Sequence, residues 1–115
     1  MITITPISET VDDLSAARLR AAMQGHVQRG RLRHILDLRS LPMLETGTLS
    51  ALIRSLRTVR EAGGSVTLVA DQPRIRTILA ATGLDRVFAV FADLEEAIGS
   101  MERKRLLPVG GADIA

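Results

Sequence analysis

The chain has 115 residues, fifteen basic and thirteen acidic side chains, and a formal net charge of +2. That length suits one domain whose core is large enough to fold without staples, and apolar residues at 46% with aromatics at 2% confine the core to Leu, Ile, Val and Ala. No cysteine is present, which excludes disulfides, thiolate nucleophiles and cysteine-bound zinc.

The sequence pI near 10.4 is not the footprint of a nucleic-acid binder. Fourteen of the fifteen basic residues are arginine and there is no Tyr or Cys, so little titrates between histidine and arginine and a small positive surplus lifts the pI far up. Acids are interspersed among the arginines, and only Phe88 and Phe91 could stack on bases. Nucleic-acid binders concentrate their cations and interleave aromatics, so no nucleic-acid partner is expected. His26 and His34 fit no metal-ligand spacing, and neither a metal nor a cofactor is expected. The start, "MITITPISET", lacks the basic and apolar regions of a signal peptide. No run approaches the ~20 apolar residues of a membrane span. The expectation is a cytoplasmic protein without membrane insertion.

Taken in chain order, "ITITPI" (Ile2 to Ile7) alternates apolar and polar residues and predicts a short strand, with Pro6 placing it at an edge or ending it. Asp12 or Asp13 is the predicted cap of a helix whose inner stripe is Leu19, Ala22, Met23, His26 and Val27, stopped by Gly30. "HILDL" (His34 to Leu38) reads as a buried parallel strand. After the polar tetrad Glu45, Thr46, Gly47 and Thr48, a helix is predicted from about Leu49. Its stripe is Leu49, Leu52, Ile53, Leu56 and Val59, with Arg54, Arg57, Arg60 and Glu61 turned outward and a stop at "AGG".

"SVTLVA" (Ser65 to Ala70) is the next strand. Asp71 is the predicted cap of the following helix, with Pro73 in its first turn, Ile75, Ile78, Leu79 and Thr82 inward, and Gly83 as stop. "RVFAVF" predicts a short strand or extended segment, and Asp93 is the predicted cap of a last helix with Leu94, Ala97, Ile98 and Met101 inward. Residues 1–103 are expected to form one domain and residues 104–115 a flexible tail. Strands alternating with helices predict an α/β domain with a mainly parallel four-stranded sheet and about four helices. Sites in such sheets lie beyond the carboxyl ends of the strands, which is where the tetrad falls.

The sequence contains no GxSxG elbow, GxGxxG turn or P-loop. Asp37, Glu45 and Asp71 fall near strand ends and could cluster, but no nucleophile–base set accompanies them, and the chain is not expected to be an enzyme. The tetrad has a structural explanation: Thr46 or Thr48 as helix cap, worth ~1 kcal/mol, with Glu45 facing the positive end of the helix dipole. It also has a functional one, because a helix N-terminus accommodates phosphate.

The stretches "LDLRSLPMLETGTLSALI" and "REAGGSVTLVADQPRIRTILAATGLDRVFAVFADLEEAI" resemble the STAS domain family, of the anti-sigma factor antagonist type. The likeness covers about Thr10 to Ile98. It implies a STAS-like fold and a non-enzymatic regulator that sequesters an anti-sigma factor, a serine kinase of the GHKL type, in a partner-switching pathway. The family motif Asp-Ser-Ser-Gly-Leu falls on Glu45, Thr46, Gly47, Thr48 and Leu49, after the strand that ends at Asp37. The usual phosphoserine position is thus Gly47, and Thr46 and Thr48 become the candidate phosphoacceptors. Relative to the family, one N-terminal strand is missing, so an open sheet edge could be covered by a partner or by a second copy in a homodimer. An alternative implied by the same resemblance is a STAS subunit regulating an ABC-type lipid transporter or a stressosome-like sensory assembly.

Overall fold

A computed structural model describes residues 1–8 and 12–106. In chain order the elements are β1 (Thr3–Pro6), α1 (Asp13–Gln28), β2 (Arg33–Asp37), α2 (Thr46–Glu61), β3 (Ser65–Val69), α3 (Pro73–Ala81), α4 (Leu84–Val87), β4 (Ala89–Phe91) and α5 (Leu94–Leu106). The sheet order is β1-β2-β3-β4 and every pair is parallel, with Ile4 opposite Ile35, Ile35 opposite Thr67 and Leu68 opposite Val90. The expected α/β architecture with four parallel strands is present. The fifth helix is α4, a single turn that takes in Arg86 and Val87, the first two residues of the stretch expected to be extended, and leaves β4 to begin at Ala89.

Parallel neighbours require a crossover. Each strand here hands over to its neighbour by a helix on the same face, so α1, α2 and α3 line up on one side. Met23 of α1, Leu52, Leu56 and Val59 of α2, and Ile75 and Leu79 of α3 share a core cluster with Leu36, Val66 and Leu68 of the sheet. The other face belongs to α5, which follows the last strand and is no crossover. Its Ala97 and Met101 pack with Ile35 and Val69. The period-2 alternation of β2 and β3 therefore feeds two cores rather than one core and solvent. At the β1 edge α5 no longer reaches, and Ile4 stays 42% exposed.

Local signals explain most boundaries. Asp12 caps α1 by accepting from the Ser15 amide, and the Ser15 hydroxyl answers the Asp12 amide, a reciprocal capping box. Gly30 and Gly63 follow α1 and α2 at positive φ, where a side chain would be strained. Asp93 caps α5 through the Glu95 amide at 2.7 Å. Three expected stripe positions differ: Ala22, Ile53 and Thr82 face solvent, Thr82 being the C-cap of α3 with its hydroxyl donating back to Ile78 O. The α5 helix continues to Leu106, so the boundary expected after residue 103 falls inside it; residues 107–115 of the expected tail lie outside the described residues.

Gly64 sits where another backbone segment passes close. A Cβ there would sit 2.2 Å from the Leu32 carbonyl oxygen and 2.6 Å from Val59 Cγ1. That closeness lets the Ser65 amide donate to Leu32 O at 2.8 Å and start the β2–β3 ladder. Gly64→Ala is expected to cost about 1–3 kcal/mol, read as a lower midpoint in urea denaturation with an unchanged m-value.

His34 is fully buried on β2, its Nε2 at 2.6 Å from the Arg31 carbonyl, and its ring lies 5.6 Å from that of His26 on α1. Burial pushes both imidazoles below their ordinary value of 6.5, with Arg29 and Arg31 adding repulsion at His26. The unfolded chain therefore binds protons first as the pH drops, and stability is lost progressively below about pH 6.5. Urea titrations at neutral and mildly acidic pH are expected to show this loss, and His34→Gln to reduce its slope.

Candidate functional site at the carboxyl edge of the sheet

The carboxyl ends of β2, β3 and β4 bring Asp37, Asp71 and Asp93 toward one arginine. The strand ends at Asp37 and the chain turns at once, the Leu41 amide donating to Leu38 O, which folds Arg39 back onto the Asp37 carboxylate. Arg39 donates to both carboxylate oxygens of Asp37, Nε to Oδ1 at 3.0 Å and Nη2 to Oδ2 at 2.9 Å, and its amide donates to Oδ1 at 3.1 Å. These bonds hold the Asp37 carboxyl below its ordinary value despite partial burial, and the Arg39 guanidinium is raised, with Asp71 and Asp93 adding attraction. Asp37 is thus an ionised anchor, the reverse of the raised carboxyl a general acid needs. Of the expected carboxylate cluster, Asp37 and Asp71 converge on Arg39, while Glu45 is not among the groups acting on it.

The loop from Arg39 to Glu45 is held by Gln72, whose Nε2 donates to Arg39 O at 2.9 Å and Leu41 O at 3.0 Å. Leu41 and Leu44 are buried, while Met43 between them is 52% exposed. Gln72 also occupies the N-cap of α3 without a side-chain cap bond. The cap expected at Asp71 is therefore displaced by one residue, because the chain uses Gln72 to tie two loops together.

The tetrad sits differently from expectation. Glu45 is the N-cap residue of α2 and makes no side-chain cap bond, its carboxylate being a methylene longer than the short side chains that cap well. Thr46, Gly47 and Thr48 form the first turn, so neither threonine is the N-cap and the helix begins three residues before Leu49. Its entry is fixed by apolar packing: Leu44 and Leu49 occupy the staple positions flanking the cap and join the same core. Thr46 and Gly47 are exposed and Thr48 is fully buried. The two candidate hydroxyls are therefore not equivalent.

One and two turns on, Leu49 is half-buried and Ile53 is 40% exposed. They are i, i+4 neighbours on the face that Thr46 begins. Sequence periodicity placed Ile53 inside and missed this strip; its signal is the width of the apolar stripe, which exceeds what one neighbour can cover. Arg39 and Gln72 were also missed, since only the fold brings Gln72 to the 39–41 loop. Among the described residues no group of three or more His, Asp or Glu is placed to hold a metal ion, and no helix is long and apolar enough to cross a membrane.

The STAS domain profile matches residues 1–97. The chain belongs to the STAS domain family. A Thermotoga maritima protein provisionally named an anti-sigma factor antagonist is 23% identical over 78 residues, 68% of this chain and 69% of that protein. A crystal structure of a Thermotoga maritima protein with that provisional name superposes with TM-score 0.76 at 18% identity, covering 86% of both chains. The anti-sigma factor antagonist SpoIIAA in its unphosphorylated form gives 0.68 at 14%, covering 92% of this chain and 91% of that one. The phosphorylated form of SpoIIAA, a Bacillus cell fate determinant, gives 0.60 at 17%, covering 87% and 86%. At such identities the structures establish the STAS fold. The curated relatives that match in sequence carry the anti-sigma factor antagonist name.

Replacing Arg39 with Ala is expected to return the Asp37 carboxyl upward toward its ordinary value of 3.8, measured by carbon-detected NMR titration. The amide signals of Gln72 and Leu41 should shift little, because their bonds do not use the guanidinium.

Proposed function

We propose that this STAS domain is a non-enzymatic binding module that sequesters an anti-sigma factor of the GHKL serine-kinase type. Its docking surface comprises Met43, Glu45, Thr46, Gly47, Leu49 and Ile53. The observation that carries this reading is the exposed apolar strip of Met43 and Ile53 beside an α2 N-terminus that Glu45 does not cap. Partner interfaces combine such apolar anchors with a polar rim, here Glu45 and Arg54. Asp37 and Arg39 support the loop beneath.

Regulation in this reading departs from the family pattern, because Gly47 offers no hydroxyl where the usual phosphoserine stands. Thr46 is the accessible hydroxyl of the pair. A phosphate on it would face the first-turn amides, which tolerate an anion, so the domain would stay folded while the added charge of about −1.5 to −2 repelled the partner. Thr48 is buried beneath the same turn and cannot enter a kinase active site without opening it.

The test uses the full chain against the anti-sigma kinases of the same genome in an immobilised binding assay. At least one is expected to bind, and Ile53→Glu to weaken it by about tenfold or more with an unchanged melting temperature. Failure of every such kinase to bind counts against the reading. Incubation with the bound kinase and ATP, followed by intact-mass analysis, reads the switch: any phosphate should vanish in Thr46→Ala and persist in Thr48→Ala, and an unphosphorylated chain means a constitutive antagonist.

A further inference from the structure

At the opposite edge of the sheet, where β2, β3 and β4 begin, a cavity of about 470 Å³ opens on the face covered by α5. That volume is in the range of small-molecule sites. Arg33 and Arg60 are the charged residues that line it, Ser65 and Thr67 supply hydroxyls, and Ala89 and Met101 are among its apolar walls. No acidic side chain lines it among the described residues. A neighbouring hollow shares Arg33 and adds Arg29 and Arg31, so the field at this end is positive on both sides.

Arg33 holds an incomplete set of bonds. Its Nη2 donates to the Met101 carbonyl, tying β2 to α5. Its Nη1 is buried and makes no hydrogen bond among the described residues. The nearest carboxylate, that of Glu102, lies 3.8 Å away and is itself 44% exposed. That ion pair offsets part of the charge but supplies no hydrogen bond, and a buried guanidinium donor without one is costly. Arg60 spends Nη2 on Val87 O at 2.9 Å and is otherwise exposed. Two arginines thus converge on a half-apolar cavity.

We infer that this cavity binds a small organic anion, with a phosphate or carboxylate head between Arg33 and Arg60 and an apolar body against Ala89 and Met101. The chemistry is that of guanidinium recognition of a planar or tetrahedral oxyanion. The site is separated from the α2 N-terminus by the length of the strands and does not rest on the proposed partner.

The experiment is amide NMR titration of the full chain with phenyl phosphate and benzoate, which distinguish the two heads, and with inorganic phosphate and benzyl alcohol, which carry head and body alone. At least one of the first pair is expected to saturate, shifting Gly64, Ser65 and Ala89, with affinity about tenfold above both fragments. Arg60→Gln, at an exposed position, should weaken it by about tenfold, and Ala89→Leu, which fills the cavity, should abolish it. Arg33→Gln should do the same provided its spectrum remains folded. Shifts confined to Thr46, Gly47 and Thr48, indifference to both Arg60→Gln and Ala89→Leu, or no saturation by either aromatic anion would each overturn the inference.

Discussion

The parallel ladder between β2 and β3, buried on both faces, is the constraint on which the rest of this protein depends. A parallel pair cannot be joined by a tight turn, so the chain leaving Asp37 must travel the length of the sheet before Ser65 can pair. The α2 helix makes that journey. Its N-terminus is thereby fixed at the carboxyl edge, where the tetrad and the 38–45 loop lie, and its C-terminus at the other edge, where Gly64 lets the chain turn in against Leu32. One connection places both the proposed docking surface and the arginine-lined cavity, and it places them at opposite ends.

The two ends differ in chemistry because they differ in how backbone and charge are satisfied. At the carboxyl edge, carboxylates and amides are closed on one another: Arg39 grips Asp37 with two parallel bonds, and Gln72 answers two carbonyls of the neighbouring loop. What remains open there is apolar surface and the first turn of a helix, suited to a protein partner. At the amino edge, cations outnumber nearby carboxylates, and one guanidinium nitrogen is buried without a hydrogen bond among the described residues. That imbalance suits a small anion. The histidine pair at this edge is a further cost that the fold accepts, since burial disfavours the charged form of both imidazoles.

The family resemblance and the physical reading meet at residues 45–48 and pull in different directions. In the proposed reading the tetrad is the switch position, with Gly47 standing where the usual acceptor would be. Burial then separates the two threonines that periodicity could not rank. Thr48 turns inward as part of the first helical turn, and Thr46 turns outward, because the helix starts at Thr46 rather than Leu49. The start is set by Leu44 and Leu49 gripping the core on either side of the cap, an apolar effect that outweighs the capping preference of threonine.

Much of the architecture was legible in the sequence alone. Short β-branched runs, helical stripes and glycine stops determined the order of elements, the parallel sheet and the cap at Asp93, and narrowed that of α1 to Asp12 or Asp13, because these are local rules acting over a few residues. The strand-to-helix junction that carries the tetrad was legible for the same reason. Only the tertiary structure decided which tetrad hydroxyl is exposed, that Ile53 faces outward, that Gln72 serves a distant loop, and that Arg33 and Arg60 share a cavity. Each of these is set by which neighbour covers a given face, and that depends on residues 20 to 70 positions away, beyond the reach of any local pattern.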